Sequence, residues 1–127
     1  MSNKTAAEIR KAAFNTTVPQ ETVHVKEWDA DILIKGLTAG SAIDFYAAAS
    51  KTEKGETVID RKLWGPNILI ACLFDADGNP VFEAANKDMI QSMPSQTVTR
   101  LAGIAARLSG LGSDDDKDVI EDFGEDL

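Results

Sequence analysis

The stretch that decides the fold is ETVHVKEWDADILIKGL, residues 21–37. Its apolar residues stand at every second position on both sides of a charged connection: Val23 and Val25, then Ile32 and Ile34. Such alternation is typical of a strand with one buried face, and two strands joined by a short connection indicate a β-hairpin. The sequence therefore predicts an antiparallel hairpin over residues 22–35.

The clearest helix in the sequence covers residues 95–110. Its apolar residues recur at intervals of three and four: Val98, Leu101, Ala102, Ala105 and Leu108. That spacing places them on one side of an α-helix, and Gly110 follows where a helix C-terminus favours glycine. We expect this apolar stripe to lie against the sheet.

Two further segments before it are predicted from the same kind of pattern. Residues 41–51 favour a helix, in which Ile43, Tyr46 and Ala47 form an apolar face flanked by Phe45. Residues 50–57 are polar and contain a glycine, which favours a loop.

Residues 59–73 remain ambiguous, because their apolar run fits a buried helix and a central strand equally well. Gly65-Pro66 favours an interruption, since proline has no N–H to donate. A helix that begins at Pro66 and a helix kinked there are both open. A short helix over residues 86–93 follows.

Together these segments predict one α+β domain over residues 21–112. A small antiparallel sheet, led by the hairpin, packs against about four helices. Residues 1–20 form an N-terminal arm, in which Thr5 and Glu8 have the spacing of a helix capping box. Residues 113–127 form a flexible acidic C-terminal tail.

The charge of the chain is concentrated in that tail. Of the net charge of −8, eight acids and one base in SDDDKDVIEDFGEDL, residues 113–127, account for −7. The nearly neutral remainder offers no basic surface for nucleic acid. No apolar stretch is long enough to span a membrane, and the N-terminus lacks a signal-peptide pattern. We therefore expect neither nucleic acid nor membrane as a partner.

Few residues suggest catalysis. His24, the single histidine, alternates out of phase with the apolar strand residues, so we expect it to be exposed. Cys72 lies in an apolar run and is expected to be buried and inert, and a single cysteine suits a reducing, intracellular setting. Neither residue has a partner at a spacing typical of nucleophilic catalysis. We expect no catalytic residue and no cofactor.

Asp75-Ala76-Asp77-Gly78-Asn79 has some likeness to a calcium loop. An EF-hand loop needs glycine at position 6 and glutamate at position 12; here glycine is at position 4 and Asn86 at position 12. Aspartate and asparagine also favour tight turns. We predict a turn and no metal site. A small metal-dependent enzyme that uses this turn stays an alternative.

The acidic tail has three interpretations, of which metal binding is the weakest because the run offers no fixed geometry. It is a solvated segment without a partner, or it folds against a partner through its apolar residues. Those residues are the candidate partner-binding residues: Val119, Ile120, Phe123 and Leu127.

Across residues 4–123 the sequence resembles the small tail assembly chaperones of long-tailed (siphovirus-type) bacteriophages. Five segments carry the resemblance through their order and spacing: 23–28 (VHVKEW), 36–45 (GLTAGSAIDF), 68–74 (ILIACLF), 75–82 (DADGNPVF) and 106–111 (ARLSGL).

The resemblance implies a non-enzymatic role in tail assembly. Such chaperones bind the long tape measure protein, keep it soluble and help to recruit tail tube subunits. They act in the host cytoplasm and are not expected in the mature virion. Many exist in two lengths through ribosomal frameshifting, of which this chain would be the shorter, and the family suggests a helix over residues 59–73. Self-association into a ring or filament would suit a protein that coats a long client. The alternative is a structural virion protein, such as a tail completion or head–tail connector subunit.

Overall fold

The computed structural model describes residues 4–111, which form an α+β fold as predicted. The helices are α1 (Ala6–Phe14), α2 (Ala39–Ala48), α3 (Arg61–Cys72), α4 (Lys87–Gln91) and α5 (Ser95–Leu108). The strands are β1 (Gln20–Val25), β2 (Ala30–Lys35), β3 (Ser50–Glu53), β4 (Glu56–Ile59) and β5 (Leu73–Phe74). Short 3₁₀ turns cover Lys26–Trp28 and Ala84–Asn86.

The first hairpin belongs to a three-stranded antiparallel sheet in the order β1-β2-β5, with β2 in the centre. Val23 lies opposite Ile32, and Ile34 lies opposite Leu73. Ile32, Ile34 and Leu73 are buried, whereas the polar residues between the apolar positions of β1 are exposed. The predicted hairpin over residues 22–35 is therefore confirmed, together with its alternating pattern.

The sheet packs against α3 and α5, whose apolar residues form most of the core. On α5 the predicted stripe is confirmed: Val98, Leu101, Ala102 and Ala105 are buried, and Leu108 is partly buried. On α3 the buried apolar residues are Trp64, Ile68, Leu69 and Cys72. The apolar run that the sequence left ambiguous is thus mostly a buried helix, and it ends as the short strand β5.

Helix α3 continues through Gly65-Pro66, so the alternative that it begins at Pro66 is wrong. It begins five residues earlier, where Asp60 Oδ1 accepts a hydrogen bond from Lys62 N at 2.9 Å. Pro66 cannot donate to the carbonyl of Lys62, one helical turn before it. Gln91 Nε2 on α4 donates to that carbonyl instead, at 3.0 Å. The missing backbone donor is therefore replaced by a side chain from another helix.

Residues 50–57 were expected to be a loop, and this expectation is wrong. They form most of a second hairpin, in which Ser50 pairs with Ile59 and Glu53 with Glu56. Lys54 and Gly55 connect its strands with φ values of 53° and 81°. Two consecutive positive φ angles are typical of a two-residue type I′ turn. The strands are mostly polar and exposed, so the hydrophobic pattern gave no indication of them.

The ends of β2 and α5 approach each other closely. Leu37 N donates to Ser109 Oγ at 2.9 Å, and Ser109 Oγ donates to the Ala105 carbonyl at 2.7 Å. Gly36, directly after β2, lies so close that a Cβ atom there would collide with the carbonyl of Leu108. Glycine is therefore required at this position by the contact between two elements.

A second polar contact joins the tip of the first hairpin to the start of α5. Glu27 Oε2 accepts hydrogen bonds from Thr97 Oγ1 at 2.7 Å and from Arg100 Nη2 at 2.9 Å. The hydrogen bond from Thr97, then that from Arg100, lowers the pKa of Glu27 from 4.5 to about 2. The ionised carboxylate thus contributes to holding the hairpin on α5.

We predict that Gly36→Ala lowers the free energy of unfolding by about 1–3 kcal/mol, the usual cost of forcing extra atoms into a packed site. Gly103→Ala is the matched control, because nothing lies within 4 Å of a Cβ built there on α5. It should stabilise the protein by about 0.5–1 kcal/mol, since alanine is the better helix residue. Urea unfolding measures both values; equal effects would contradict the close approach at Gly36.

We also predict an acid-dependent loss of stability through Glu27. Because folding lowers its pKa, the ionised side chain stabilises the protein above about pH 4.5. That contribution disappears as the pH falls towards about 2. The melting temperature of Glu27→Gln should therefore fall less between pH 5 and pH 2.5 than that of the unmodified chain. Thr97→Val should reduce the same pH dependence in part. If the melting temperatures of all three proteins fell in parallel with pH, the contribution of Glu27 to stability would be contradicted.

Candidate binding surface

The orientation of α2 is set by a cap at its start and an aromatic contact near its end. Thr38 and Ser41 form a reciprocal capping box, with Ser41 N donating to Thr38 Oγ1 at 3.0 Å. Phe45, only 3% exposed, packs edge-on against Trp64 with ring centroids 5.8 Å apart. Ala49, just after the helix, is also buried. Phe45 and Ala49 therefore form the inner side of α2.

The opposite side of α2 is apolar and faces solvent. It consists of Ile43, Tyr46 and Ala47, which we call the α2 face. The side chain of Ile43 is 71% exposed, and the other two residues are exposed as well. The apolar face that the spacing predicts on this helix therefore points to solvent, and Phe45, which flanks it, is the buried residue. Both sides of α2 are apolar, and the contact between Phe45 and Trp64 decides which one is buried.

The α2 face borders a groove between α2 and the second hairpin. The groove has a volume of about 350 Å³ and is lined by Tyr46, Ala47, Ser50, Lys51, Thr52 and Thr57. The exposed apolar face thus continues into a recess lined by hydroxyl groups. An apolar surface with polar surroundings is typical of a protein interaction site, and three anchors along one helix suit a helical partner.

Helix α1 offers a second exposed apolar surface. Its capping box between Thr5 and Glu8 is confirmed. None of its residues is buried, and Ile9 and Phe14 are exposed. The apolar side chains of α1 are therefore open to a partner.

A cavity of about 390 Å³ lies where the starts of α3 and α5 meet α4. We call it the α3–α4–α5 cavity. Its lining residues are Arg61, Lys62, Pro66, Ile90, Gln91, Met93, Ser95 and Val98. Pro66, Ile90 and Val98 are buried, and Lys62 is exposed. The cavity therefore has an apolar base and a basic residue at its rim.

The fold is similar to that of the tail assembly chaperone of bacteriophage HK97. The similarity has a TM-score of 0.52 at 17% sequence identity, and it covers 80% of this chain and 97% of that chain. No family model and no curated protein matches the sequence. The resemblance drawn from the sequence is therefore confirmed at the level of the fold.

The residues considered for catalysis do not form a reactive arrangement in the HK97-like fold. His24 is exposed, as predicted, and its Nδ1 lies 2.8 Å from Asp31 Oδ1 on the paired strand. Cys72 is buried, as predicted, and burial raises the pKa of its thiol to about 11, although a hydrogen bond with Ser109 lowers it in part. At neutral pH Cys72 is protonated, and a thiol is a poor nucleophile.

The prediction of a turn over residues 75–79 is confirmed. Asp75 Oδ1 accepts hydrogen bonds from the backbone N–H groups of Asp77 and Asn79, each at 2.9 Å. These bonds, that from Asn79 first, lower the pKa of Asp75. Gly78 supplies the positive φ of 87°. The carboxylate is therefore occupied by the turn itself, and residues 4–111 contain no cluster of three metal-ligating side chains.

Two further findings concern possible partners. The candidate partner-binding residues of the tail lie outside the described residues, so they stay a prediction: Val119, Ile120, Phe123 and Leu127. Within residues 4–111, no helix combines the length and apolarity that a membrane crossing requires. The sequence spacing placed Ile43, Tyr46 and Ala47 on one side of a helix, but it did not show that this side faces solvent.

We predict opposite results for two neighbouring substitutions on α2. Ile43→Asp should change the free energy of unfolding by no more than about 0.5 kcal/mol, because the side chain faces solvent. Phe45→Ala should lower it by about 3–5 kcal/mol, because it removes a buried ring. Urea unfolding of both variants is the test. A large loss for Ile43→Asp would place that residue in the core instead.

Proposed function

We propose that this protein is a tail assembly chaperone of a long-tailed bacteriophage. It binds the tape measure protein, keeps it soluble and helps to recruit tail tube subunits, without catalysing a reaction. The observation that carries the proposal is the similarity of its fold to the HK97 tail assembly chaperone over 97% of that chain.

The α2 face supports a role in holding a helical client. A holding chaperone needs apolar surface that its own core does not use. Ile43 provides such surface, while Phe45 on the opposite side fixes the helix to Trp64. A client helix that packs on α2 would present apolar residues at intervals of three and four.

The distribution of charge supports solubility of the complex. The tail, residues 113–127, carries −7 of the net charge of −8. A segment with a high net charge keeps a protein with bound apolar client in solution. We propose that the apolar residues of the tail contribute a second client contact: Val119, Ile120, Phe123 and Leu127.

The proposal includes assembly and location. A long client offers many equivalent sites, which suits self-association of the chaperone into a ring or filament. Helix α1, which buries none of its residues in its own protomer, is available for such a contact. The chaperone acts in the host cytoplasm and leaves before the virion is complete.

The test is co-expression with the tape measure protein encoded by the same phage. The chain should increase the soluble fraction of the tape measure protein, and Ile43→Asp should weaken the complex at least about tenfold, or about 1.4 kcal/mol. The double variant Ile120→Asp/Phe123→Asp should also weaken it at unchanged melting temperature. Met89→Asp is the matched control, since Met89 is equally exposed, at 71%, but lies on α4.

Three outcomes would contradict the proposal in part or in whole. If the tape measure protein stayed insoluble in the presence of the chain, the chaperone role would be contradicted. If the tape measure protein still bound to both Ile43→Asp and the double tail variant, the proposed contact surfaces would be contradicted. Stoichiometric amounts of the chain in purified virions, measured by mass spectrometry, would indicate a structural virion protein instead.

A further inference from the structure

The α3–α4–α5 cavity combines an apolar base with a cationic rim. Ile90 and Val98 at its base are almost fully buried, and Pro66 beside them is buried too. Arg61 and Lys62 line its rim, and none of the described residues that line it is a carboxylate. Its volume of about 390 Å³ lies in the range of cavities that bind ligands. The cavity is therefore suited to an acidic segment that carries apolar anchors.

The chain itself contains such a segment. Residues 113–127 hold eight acids and one base, with apolar residues at 119, 120, 123 and 127. Opposite charges attract effectively within about 8 Å at physiological salt. Among residues 4–111, the other groove, beside the α2 face, has Lys51 as its only charged lining residue and is otherwise lined mainly by hydroxyl groups. Charge and apolarity together thus favour the α3–α4–α5 cavity.

The chain turns sharply at the end of α5. Gly110 has a φ of 78°, and Leu111 N donates to the Ala106 carbonyl at 2.8 Å. This pattern is a Schellman motif, and Leu111 packs partly buried against the core. The described chain therefore ends beside the Ala106 carbonyl, in the last turn of α5 and eight residues beyond Val98.

The remaining length is sufficient to reach the cavity. Ala106 and Val98 are separated by about 12 Å along α5, at 1.5 Å per residue. The seven residues 112–118 span up to about 23 Å when extended. The first apolar residue of the tail, Val119, can therefore arrive at the cavity. Tethering raises the effective concentration of the tail to the millimolar range, so a weak contact is enough.

We infer that the acidic tail, residues 113–127, docks into the α3–α4–α5 cavity of its own chain. Ile120 and Phe123 fill the apolar base, and the acids lie against the Arg61–Lys62 rim. The inference about the cavity does not rest on the identity of the client.

The test uses the full chain, labelled with ¹⁵N and carrying a nitroxide on Gly124→Cys. The native Cys72 is buried and is expected to remain unlabelled. The nitroxide should broaden the amide signals of Ile90, Gln91 and Val98 at least about threefold more than those of Thr52 and Thr57 in the other groove. Lys62→Glu should abolish the difference, and so should Ile120→Asp/Phe123→Asp, which leaves the cavity intact. Lys51→Glu is the matched control and should leave it unchanged.

The outcomes are separable from those of the tape measure experiment, because no client is present. Uniform broadening, or preferential broadening at Thr52 and Thr57, would overturn docking in this cavity. Broadening that survives both Lys62→Glu and the double tail variant would also overturn it. A mixture of ¹⁵N chains without nitroxide and unlabelled chains with nitroxide should show no broadening. Equal broadening in that mixture would assign the cavity to the tail of a second copy and overturn docking within the chain.

Discussion

The packing of α3 against α5 is the interaction on which the other elements depend. The two helices contribute most of the buried side chains, including Ile68, Leu69 and Leu101. The sheet lies on this pair through β2 and β5, and α2 is attached to it through Phe45 and Trp64. Peripheral contacts then fix the ends: Ser109 holds the chain after β2, and Glu27 holds the hairpin tip on α5. The exposed apolar residues of α1 and of the α2 face are therefore not part of the packed core.

The parts of the fold that the sequence predicted are those whose pattern depends on one element alone. The hairpin has strict alternation, and α5 has an unbroken apolar stripe, so each pattern identifies a buried side. Other features depend on residues far away in the chain. The inner side of α2 is decided by Trp64, 19 residues beyond Phe45. The continuity of α3 depends on Gln91, 29 residues beyond Lys62. The second hairpin was missed because its strands are polar and its Lys54-Gly55 turn was not recognised.

The candidate binding surfaces also differ in how far the sequence alone could predict them. The apolar spacing of Ile43, Tyr46 and Ala47 was visible in the sequence, but only the tertiary structure shows that it faces outward. The α3–α4–α5 cavity is made from three separate segments, which no local pattern could bring together. The likeness to tail assembly chaperones came from the order of several modest motifs, and the similarity to the HK97 structure supports it at the level of the fold. For the tail, residues 113–127, the charge and the apolar residues are known from the sequence alone.

The hydrogen bond from Gln91 to the Lys62 carbonyl has a consequence for how such sequences diverge. Pro66 removes one backbone donor from α3, and the amide of Gln91 on α4 takes its place. Proline without the amide is a local defect, because it leaves the Lys62 carbonyl without its helical partner. We therefore expect the two positions to vary together. Relatives that keep proline at the position of Pro66 should retain a side-chain donor at the position of Gln91, and relatives that lose the proline should be free to vary there.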